Sequence, residues 1–206
     1  MASGPRVLVF LDHQNVYHRA RDAYHAPADP AACGQIDPLK LGRLLASRVT
    51  HGRLVGVRVY RGRPSQRRDV RSYAAFQRQV QAQVRHGAGL VTIVSRDVRY
   101  PPDWPARPAQ EKGIDVALAV DFVMMITRGE CDVGVLFSSD TDLTPALEAV
   151  MDLRPGRAPA CEVAAWDVPG VRPRFLTARR ARLRRHLLSE ADYRAVTDPS
   201  DYTQRE

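Results

Sequence analysis

Four aspartates of this chain adjoin apolar segments, where carboxylates are unusual. Asp12 ends the apolar run at residues 7–11, Asp115 opens a second apolar segment, and Asp140 and Asp142 follow a third. Carboxylates are rare beside buried segments unless a cationic group holds them there. Clustered carboxylate oxygens bind hard divalent cations such as Mg²⁺ or Mn²⁺, and these ions catalyse phosphodiester cleavage. The sequence therefore predicts that these four aspartates form a catalytic metal site.

The apolar pattern predicts strands that alternate with helices. Strands are predicted at 6–11, 54–60, 90–94, 133–137 and 163–166, and helices at 39–49, 65–85, 114–127 and 143–151. The helix at 114–127 is rich in Ala, Val, Leu and Met, so it is expected to be buried. The proline-containing stretches 24–37 and 100–110 are expected to be loops. Strands alternating with helices indicate parallel pairing in an α/β sandwich.

Such a sheet would bring the aspartates together. Sites in open parallel sheets form beyond the carboxyl ends of strands, where the strand order reverses. Asp12 ends the first predicted strand, and Asp140 and Asp142 follow the fourth, so the three converge if those strands are neighbours. Asp115 would join from the first turn of a helix, where the helix dipole favours negative charge. Taken singly, each aspartate could instead be a turn residue or a helix cap.

Four further polar residues are expected to support the site: Asn15, Lys112, Ser139 and Asp121. Asn15 could bond a ligand carboxylate or a bound water, or it could cap a helix. Lys112 could neutralise a phosphate or pair with Asp115. Ser139 suits a crowded polar site. Asp121 should face a different side of its helix from Asp115, where it could support the site indirectly or pair with an arginine.

The positive charge of the chain comes almost entirely from arginine. The net charge is +8, and the only lysines are Lys40 and Lys112. Arginine clusters are typical of phosphate binding, and a loop aromatic such as Trp104 can stack on an unpaired base. A solvated helix face, or a docking surface for an acidic protein partner, is the alternative. The arginines expected to bind RNA are Arg61, Arg63, Arg67, Arg68, Arg179, Arg180, Arg184 and Arg185.

The remaining features indicate a cytoplasmic protein without a membrane partner. A strand is predicted almost at the first residue, which argues against a signal peptide. The most apolar run, at 116–126, is interrupted by Asp121 and is too short to span a bilayer. Cys33, Cys131 and Cys161 lack zinc-knuckle or redox spacing, so they are expected to be buried thiols in a reducing compartment. Assembly into a homo-oligomer, or with a protein partner, is left open.

Three segments together resemble the signature blocks of the NYN domain, within the PIN-like nuclease superfamily. They are FLDHQN at 10–15, EKGIDVALAVD at 111–121 and SSDTDLTP at 138–145. The LabA-like bacterial branch is the most similar, and RHLLSEADY at 185–193 resembles its closing segment. The order and spacing of these blocks agree over roughly residues 6 to 168.

The resemblance implies a three-layer PIN-like sandwich with a central five-stranded parallel sheet. Residues 1–170 would form the NYN domain, and residues 171–206 an arginine-rich extension that packs on it. The resemblance also implies a ribonuclease that cleaves RNA, expected to be single-stranded, with Mg²⁺ or Mn²⁺. The four aspartates match the acidic positions of the family. A non-catalytic RNA-binding or regulatory NYN module is the alternative. A dehalogenase-like phosphatase is disfavoured, because Gln14 stands where its second aspartate would be.

Overall fold

A six-stranded parallel sheet forms the centre of the molecule. The computed structural model describes residues 4–154, 160–178 and 183–204. The strand order is β3-β2-β1-β4-β5-β6, and every neighbouring pair is parallel. The strands are β1 (Arg6–Asp12), β2 (Arg53–Arg63), β3 (Val91–Asp97), β4 (Val133–Phe137), β5 (Cys161–Trp166) and β6 (Arg184–Leu188).

In the described part of the chain, six α-helices cover the sheet and complete the three-layer sandwich that the resemblance implies. They are α1 (His13–Tyr24), α2 (Pro38–Arg48), α3 (Val70–His86), α4 (Ile114–Thr127), α5 (Thr144–Leu153) and α6 (Glu190–Val196). One apolar core includes buried residues of α1, α2 and α6, and a second core includes those of α4 and α5. None of the helices in the described residues is long and apolar enough to cross a membrane.

The sheet has six strands rather than the five that the resemblance implies. The additional strand, β6, pairs in parallel with β5. Only His186 and Leu188 of its five residues are buried, so its apolar signal is weak. The pattern also gives no sign of α1, whose buried side chains are Val16 and Ala20 alone. Both elements are packed by a few side chains within polar sequence.

Helix α4 is only half buried, which corrects the expectation of a buried helix. Ile114, Leu118 and Phe122 face the core, whereas Val116 and Val120 are 65% and 53% exposed. Since an α-helix turns once in about 3.6 residues, a helix that is apolar on all sides can still bury a single stripe.

The chain reverses direction across the sheet at β1. Strands β2 and β3 extend to one side of β1, while β4, β5 and β6 extend to the other. Because all strands are parallel, their carboxyl ends lie along one edge, and the crevice between β1 and β4 is the switch point of the topology. Asp12 ends β1, and Ser138 directly follows β4 in the adjacent position.

Candidate active site

Asp12 is a buried carboxylate at the switch point. Its side chain is the N-cap of α1 and accepts the backbone N–H of Asn15 at 3.1 Å. Its second oxygen accepts the hydroxyl of Ser138 at 2.8 Å. Burial raises the pKa of Asp12 to about 6, and the charges of Asp115 and Glu111 act in the same direction against the two hydrogen bonds. The residue is only 7% exposed.

Ser138 connects Asp12 to the loop that carries the other acids. Its hydroxyl donates to Asp12 and accepts the backbone N–H of Asp140 at 3.0 Å. The Asp140 side chain in turn accepts the backbone N–H of Asp142 at 3.0 Å, and so caps a short 3-10 turn at Thr141–Leu143. Because Ser138 is 1% exposed, the link is shielded from competing water.

Asn15 fastens the first turn of α1 to the end of β4. Its side-chain oxygen accepts the backbone N–H of Ser139 at 3.1 Å and is 3.2 Å from the Ser139 hydroxyl. Asn15 and Ser139 thus hold the two sides of the crevice together. The residue that caps α1 is Asp12 rather than Asn15.

Asp115 reaches the same crevice from the first turn of α4. The helix begins after Gly113, whose φ of 70° turns the chain into the helix. Burial raises the pKa of Asp115, and the negative charges of Asp140 and Asp142 raise it further.

An open pocket of about 410 Å³ lies between these elements. Asp12, Asp115 and Asp140 all line it, whereas Asp142 does not and acts on Asp115 through its charge. Among the residues that the structure describes, no three of these acids place one oxygen each within 4.8 Å of one another. The remaining lining residues are Gln14, Asn15, His18, Arg19 and Asp22.

The chemistry of this pocket fits a hard divalent cation. Its acids offer oxygen ligands only, which are the ligands of Mg²⁺ and Mn²⁺. Mg²⁺ commonly keeps several waters and takes one or two carboxylates together with substrate phosphates, rather than a closed cage of protein ligands. Carboxylates spread around an open pocket suit that mode, with Asp12, Asp115 and Asp140 as the residues that would hold the ion.

Glu111 is a further acid at this edge that the sequence interpretation did not single out. It accepts the backbone N–H of Gly62 at 2.6 Å, which ties the segment before α4 to the end of β2. Burial raises the pKa of Glu111, with Asp115 as an additional cause. In the sequence its neighbour is Lys112, so it resembles a surface ion pair. The proximity of its charge to Asp12 depends on β2 lying beside β1.

Of the four expected supporting residues only Asn15 lines the acidic pocket, and Ser139 lines a neighbouring pocket. Lys112 is exposed. Asp121 accepts from Arg58 at 2.6 Å and from the hydroxyl of Tyr60 at 2.8 Å. The structure thus shows the alternative for Asp121, an acid paired with an arginine.

The first arginine cluster, which consists of Arg61, Arg63, Arg67 and Arg68, divides into half-buried and exposed members. Arg61 donates to Gln79 at 2.7 Å, and burial lowers its pKa to about 10. Arg63 pairs with Asp97 at 2.6 Å. Arg67 and Arg68 are exposed in the loop after β2, at the same sheet edge as the acids.

Trp104 lies near the exposed part of this cluster. Its ring packs edge-on against Tyr100 at 5.3 Å, and the guanidinium of Arg68 lies 5.6 Å from the centre of the Tyr100 ring. The tyrosine hydroxyl accepts the backbone N–H of Ser65 at 2.9 Å. Trp104 therefore packs against a tyrosine ring that a hydrogen bond fixes in place, and the guanidinium of Arg68 contacts that same ring.

The arginines between residues 172 and 185 that the structure describes lie at both edges of the sheet. Arg184 and Arg185 begin β6 and so lie at the amino edge, opposite the acids, where Arg184 donates to the carbonyl of Arg48 at 2.6 Å. Arg179 and Arg180 lie outside the described residues. In contrast, Arg172 and Arg174 line a second pocket with Asn15, Ser138, Ser139 and Trp166.

Arg19 borders both the acidic pocket and this second pocket, and sequence reasoning did not single it out. Within the described part of the chain, Arg19, Arg172 and Arg174 form no ion pair. Their cationic groups lie at the carboxyl edge next to the acids, so they are better placed than Arg184 or Arg185 for a ligand in the crevice.

Fold and site together define a parallel α/β protein with an acidic pocket at its topological switch point. The model of the NYN domain family matches residues 6–154. The chain belongs to the NYN domain family. NYN domains are typically PIN-like nucleases and generally use divalent metals. Membership of the LabA-like branch stays a prediction.

One solved structure shows the same fold in a different protein. It is the crystal structure of a protein of unknown function from Vibrio parahaemolyticus RIMD 2210633, with a TM-score of 0.52 and 15% sequence identity over 92% of this chain and 95% of that chain. At this identity the similarity concerns the fold alone. No curated protein matches the sequence.

Proposed function

We propose that this protein is a metal-dependent ribonuclease that hydrolyses RNA phosphodiester bonds in the pocket lined by Asp12, Asp115 and Asp140. The supporting observation is that three acids from three separate elements line one pocket at the switch point. Two of them, Asp12 and Asp115, have pKa values raised by burial and by neighbouring negative charge. The repulsion between these carboxylates does not stabilise the fold. A cation bound between them would relieve it.

Mg²⁺ or Mn²⁺ held there would supply an activated water and would offset the charge that develops on the phosphate. The protein residues would have positioning roles. Ser138 orients Asp12 and fixes the backbone of Asp140, and Asn15 holds the two sides of the crevice. Asp142 would contribute negative charge from outside the lining, and Glu111 would fix the approach to α4.

The RNA backbone would follow the carboxyl edge of the sheet. Arg19, Arg172 and Arg174 lie on the β4–β5 side of the acids, and Arg67 and Arg68 lie on the β2 side. Cations on both sides would hold phosphates before and after the bond that is cut. Trp104 could stack on an unpaired base beyond Arg68, which favours single-stranded RNA. A cytoplasmic location accords with such a substrate.

Incubation of the pure protein with end-labelled single-stranded RNA tests the proposal. We expect cleavage with Mn²⁺, none with EDTA, and none with Asp140→Asn, which keeps the shape of the side chain and removes its charge. Asp152→Asn is the matched control, because Asp152 is exposed on α5 outside the pocket lining. Binding without cleavage across varied RNAs would instead establish the non-catalytic RNA-binding module, and failure to bind RNA at all would reject both.

A further inference from the structure

Three side chains that bind transition metals meet at the far end of α1. His25 follows α1 directly, and Asp29 and Cys33 come four and eight residues later in the loop that leads to α2. One ligand atom from each lies within 4.8 Å of the others. Helix α1 has 12 residues, so at about 1.5 Å per residue this group is roughly 20 Å from Asp12. None of the three residues lines the acidic pocket, whose lining extends along α1 as far as Asp22.

The loop that carries these side chains is fixed by one guanidinium. Arg21 donates to the carbonyl of Asp29 at 2.9 Å, to that of Pro30 at 2.6 Å and to that of Cys33 at 3.1 Å. The hydroxyl of Tyr17 donates to the carbonyl of Ala31 at 2.8 Å. Backbone carbonyls of two of the three candidate ligands are thus held by the same group. Little conformational entropy would remain to be lost when an ion binds.

The histidine ring is also oriented by a buried partner. Its Nε2 lies 2.8 Å from the hydroxyl of Tyr193, which is 3% exposed and also accepts the backbone N–H of Gly34 at 2.9 Å. When Nε2 donates its proton to Tyr193, the lone pair of Nδ1 points toward Asp29. An outer partner of this kind is what fixes the tautomer of metal-binding histidines.

The distance between the first two ligand atoms fits coordination better than hydrogen bonding. His25 Nδ1 and Asp29 Oδ2 are 3.4 Å apart, beyond the usual range of about 2.7–3.2 Å for an N–H···O bond. Two ligand atoms bound to one tetrahedral Zn²⁺ at about 2.0–2.1 Å lie roughly 3.3 Å apart.

We propose that His25, Asp29 and Cys33 form a second metal site, selective for Zn²⁺ and distinct from the acidic pocket. The ligands are His25 Nδ1, a carboxylate oxygen of Asp29 and the thiolate of Cys33, with water in the fourth position. A sulfur and an imidazole ligand favour Zn²⁺ over Mg²⁺ and Mn²⁺. Binding releases the thiol proton of Cys33 to the buffer and involves no change of oxidation state. The bound ion would fasten the loop after α1 to α6, which contributes Tyr193.

Cobalt substitution tests the site independently of nuclease activity. Metal-free full-length protein is titrated with Co²⁺, and we expect a thiolate-to-cobalt absorption band in the near ultraviolet together with visible bands of a tetrahedral ion. Zn²⁺ should abolish these bands at stoichiometric concentration, whereas excess Mn²⁺ should leave them. The thiolate band reports Cys33, since Cys131 and Cys161 are 0% and 2% exposed.

Conservative variants provide the controls. Cys33→Ser should remove the thiolate band, and Asp29→Asn should weaken Zn²⁺ binding at least about tenfold while keeping its bond from the N–H of Ala26. Tyr193→Phe should weaken Zn²⁺ binding by about 10–100-fold through loss of the outer partner. Asp140→Asn should leave the thiolate-to-cobalt band unchanged, since Asp140 is not a ligand of this site. The absence of a thiolate band in the wild type, or equal Zn²⁺ affinity in Cys33→Ser and the wild type, would overturn the proposal.

Discussion

Asp12 combines a structural role and a proposed chemical role in one side chain. It caps α1 and accepts from Ser138, yet its burial raises its pKa from the ordinary 3.8 to about 6. A carboxyl with a raised pKa binds its proton more tightly in the folded state than in the unfolded state. Ionised Asp12 therefore lowers the stability of the folded protein in the absence of metal, and a cation that binds the folded form would restore it.

This carboxyl should produce a measurable pH dependence. Below about pH 4 Asp12 is protonated in both states, and as the pH rises to about 6 the folded protein loses the advantage of its extra proton. Asp12→Asn removes this titration. In EDTA, the free energy of unfolding of the variant relative to the wild type should rise by about 3 kcal/mol at most between pH 4 and pH 7, because a shift of about two units is worth that much.

Denaturant unfolding at several pH values measures the effect. Saturating Mn²⁺ should reduce the difference at pH 7, since the wild type alone keeps all of its proposed ligands. If the free energies of unfolding of the two proteins changed equally with pH, ionisation of Asp12 would not destabilise the folded protein.

The site residues that could be predicted from the sequence are those whose residue type is unusual in their sequence surroundings. A carboxylate beside an apolar run is conspicuous, and three of the four aspartates line the pocket. The contribution of Glu111 was not visible, because its proximity to Asp12 requires β2 to lie beside β1. Cys33 was expected to be a buried thiol but is only half-buried. Its nearness to His25 follows from a loop conformation held by Arg21 rather than from a recognised spacing.

At the scale of elements, the beginning of α4 decides where Asp115 lies. Gly113 and Gly129 flank this helix with φ values of 70° and 74°. An alanine Cβ would meet nothing closer than 3.9 Å at Gly113 and nothing within 4 Å at Gly129. The two positions therefore carry similar backbone strain at opposite ends of one helix, which makes them a matched pair.

Substituting alanine at either glycine should cost about 1–2 kcal/mol of stability, because each would force an L-residue into the left-handed region. Gly113→Ala alone should also weaken the Mn²⁺-induced rise in melting temperature, since it alters the approach to Asp115. Thermal unfolding with and without Mn²⁺ separates the two effects. An equal response to Mn²⁺ in both variants would mean that the position of Asp115 does not depend on this turn, and Gly113→Asn should restore the response because asparagine tolerates this conformation.

Helices and strands could be predicted wherever an apolar period persisted. The five strands from β1 to β5 and the helices α2 to α5 were all expected from their patterns, although with shifted ends. Helix α1 was missed because its residues are mostly polar. Asp12 caps the start of this helix, but it was expected to be a metal ligand and so was not recognised as a helix start. Strand β6 was missed because arginines occupy two of its three exposed positions.

At the scale of the whole molecule, a buried ionisable pair joins the last two strands. Glu162 on β5 and His186 on β6 are hydrogen-bonded, and they are 0% and 4% exposed. Among the residues that the structure describes, oxygen Oε1 of Glu162 is buried and has no hydrogen-bond partner. The attachment of β6 therefore depends on a polar contact in the interior as well as on backbone pairing.

Removing one member of this pair should be more harmful than removing both. His186→Leu leaves the carboxyl of Glu162 buried and unpaired, and it should lower the free energy of unfolding by about 3–5 kcal/mol. The double variant Glu162→Leu/His186→Leu should recover most of this loss, because neither buried polar group remains. Guanidinium unfolding of the three proteins provides the measurement, and additive losses in the double variant would show that the pair has no coupling energy.

The order in which β5 and β6 are made also has a consequence for synthesis. All six residues of β5 are buried, and one of its hydrogen-bonding edges is covered by β6 alone. Chains emerge at about 5–20 residues per second, so this edge stays bare for seconds after β5 has been made. Bare strand edges are templates for association between nascent chains. Because β6 pairs with this edge of β5, we expect a protein shortened before residue 184 to be prone to intermolecular strand pairing.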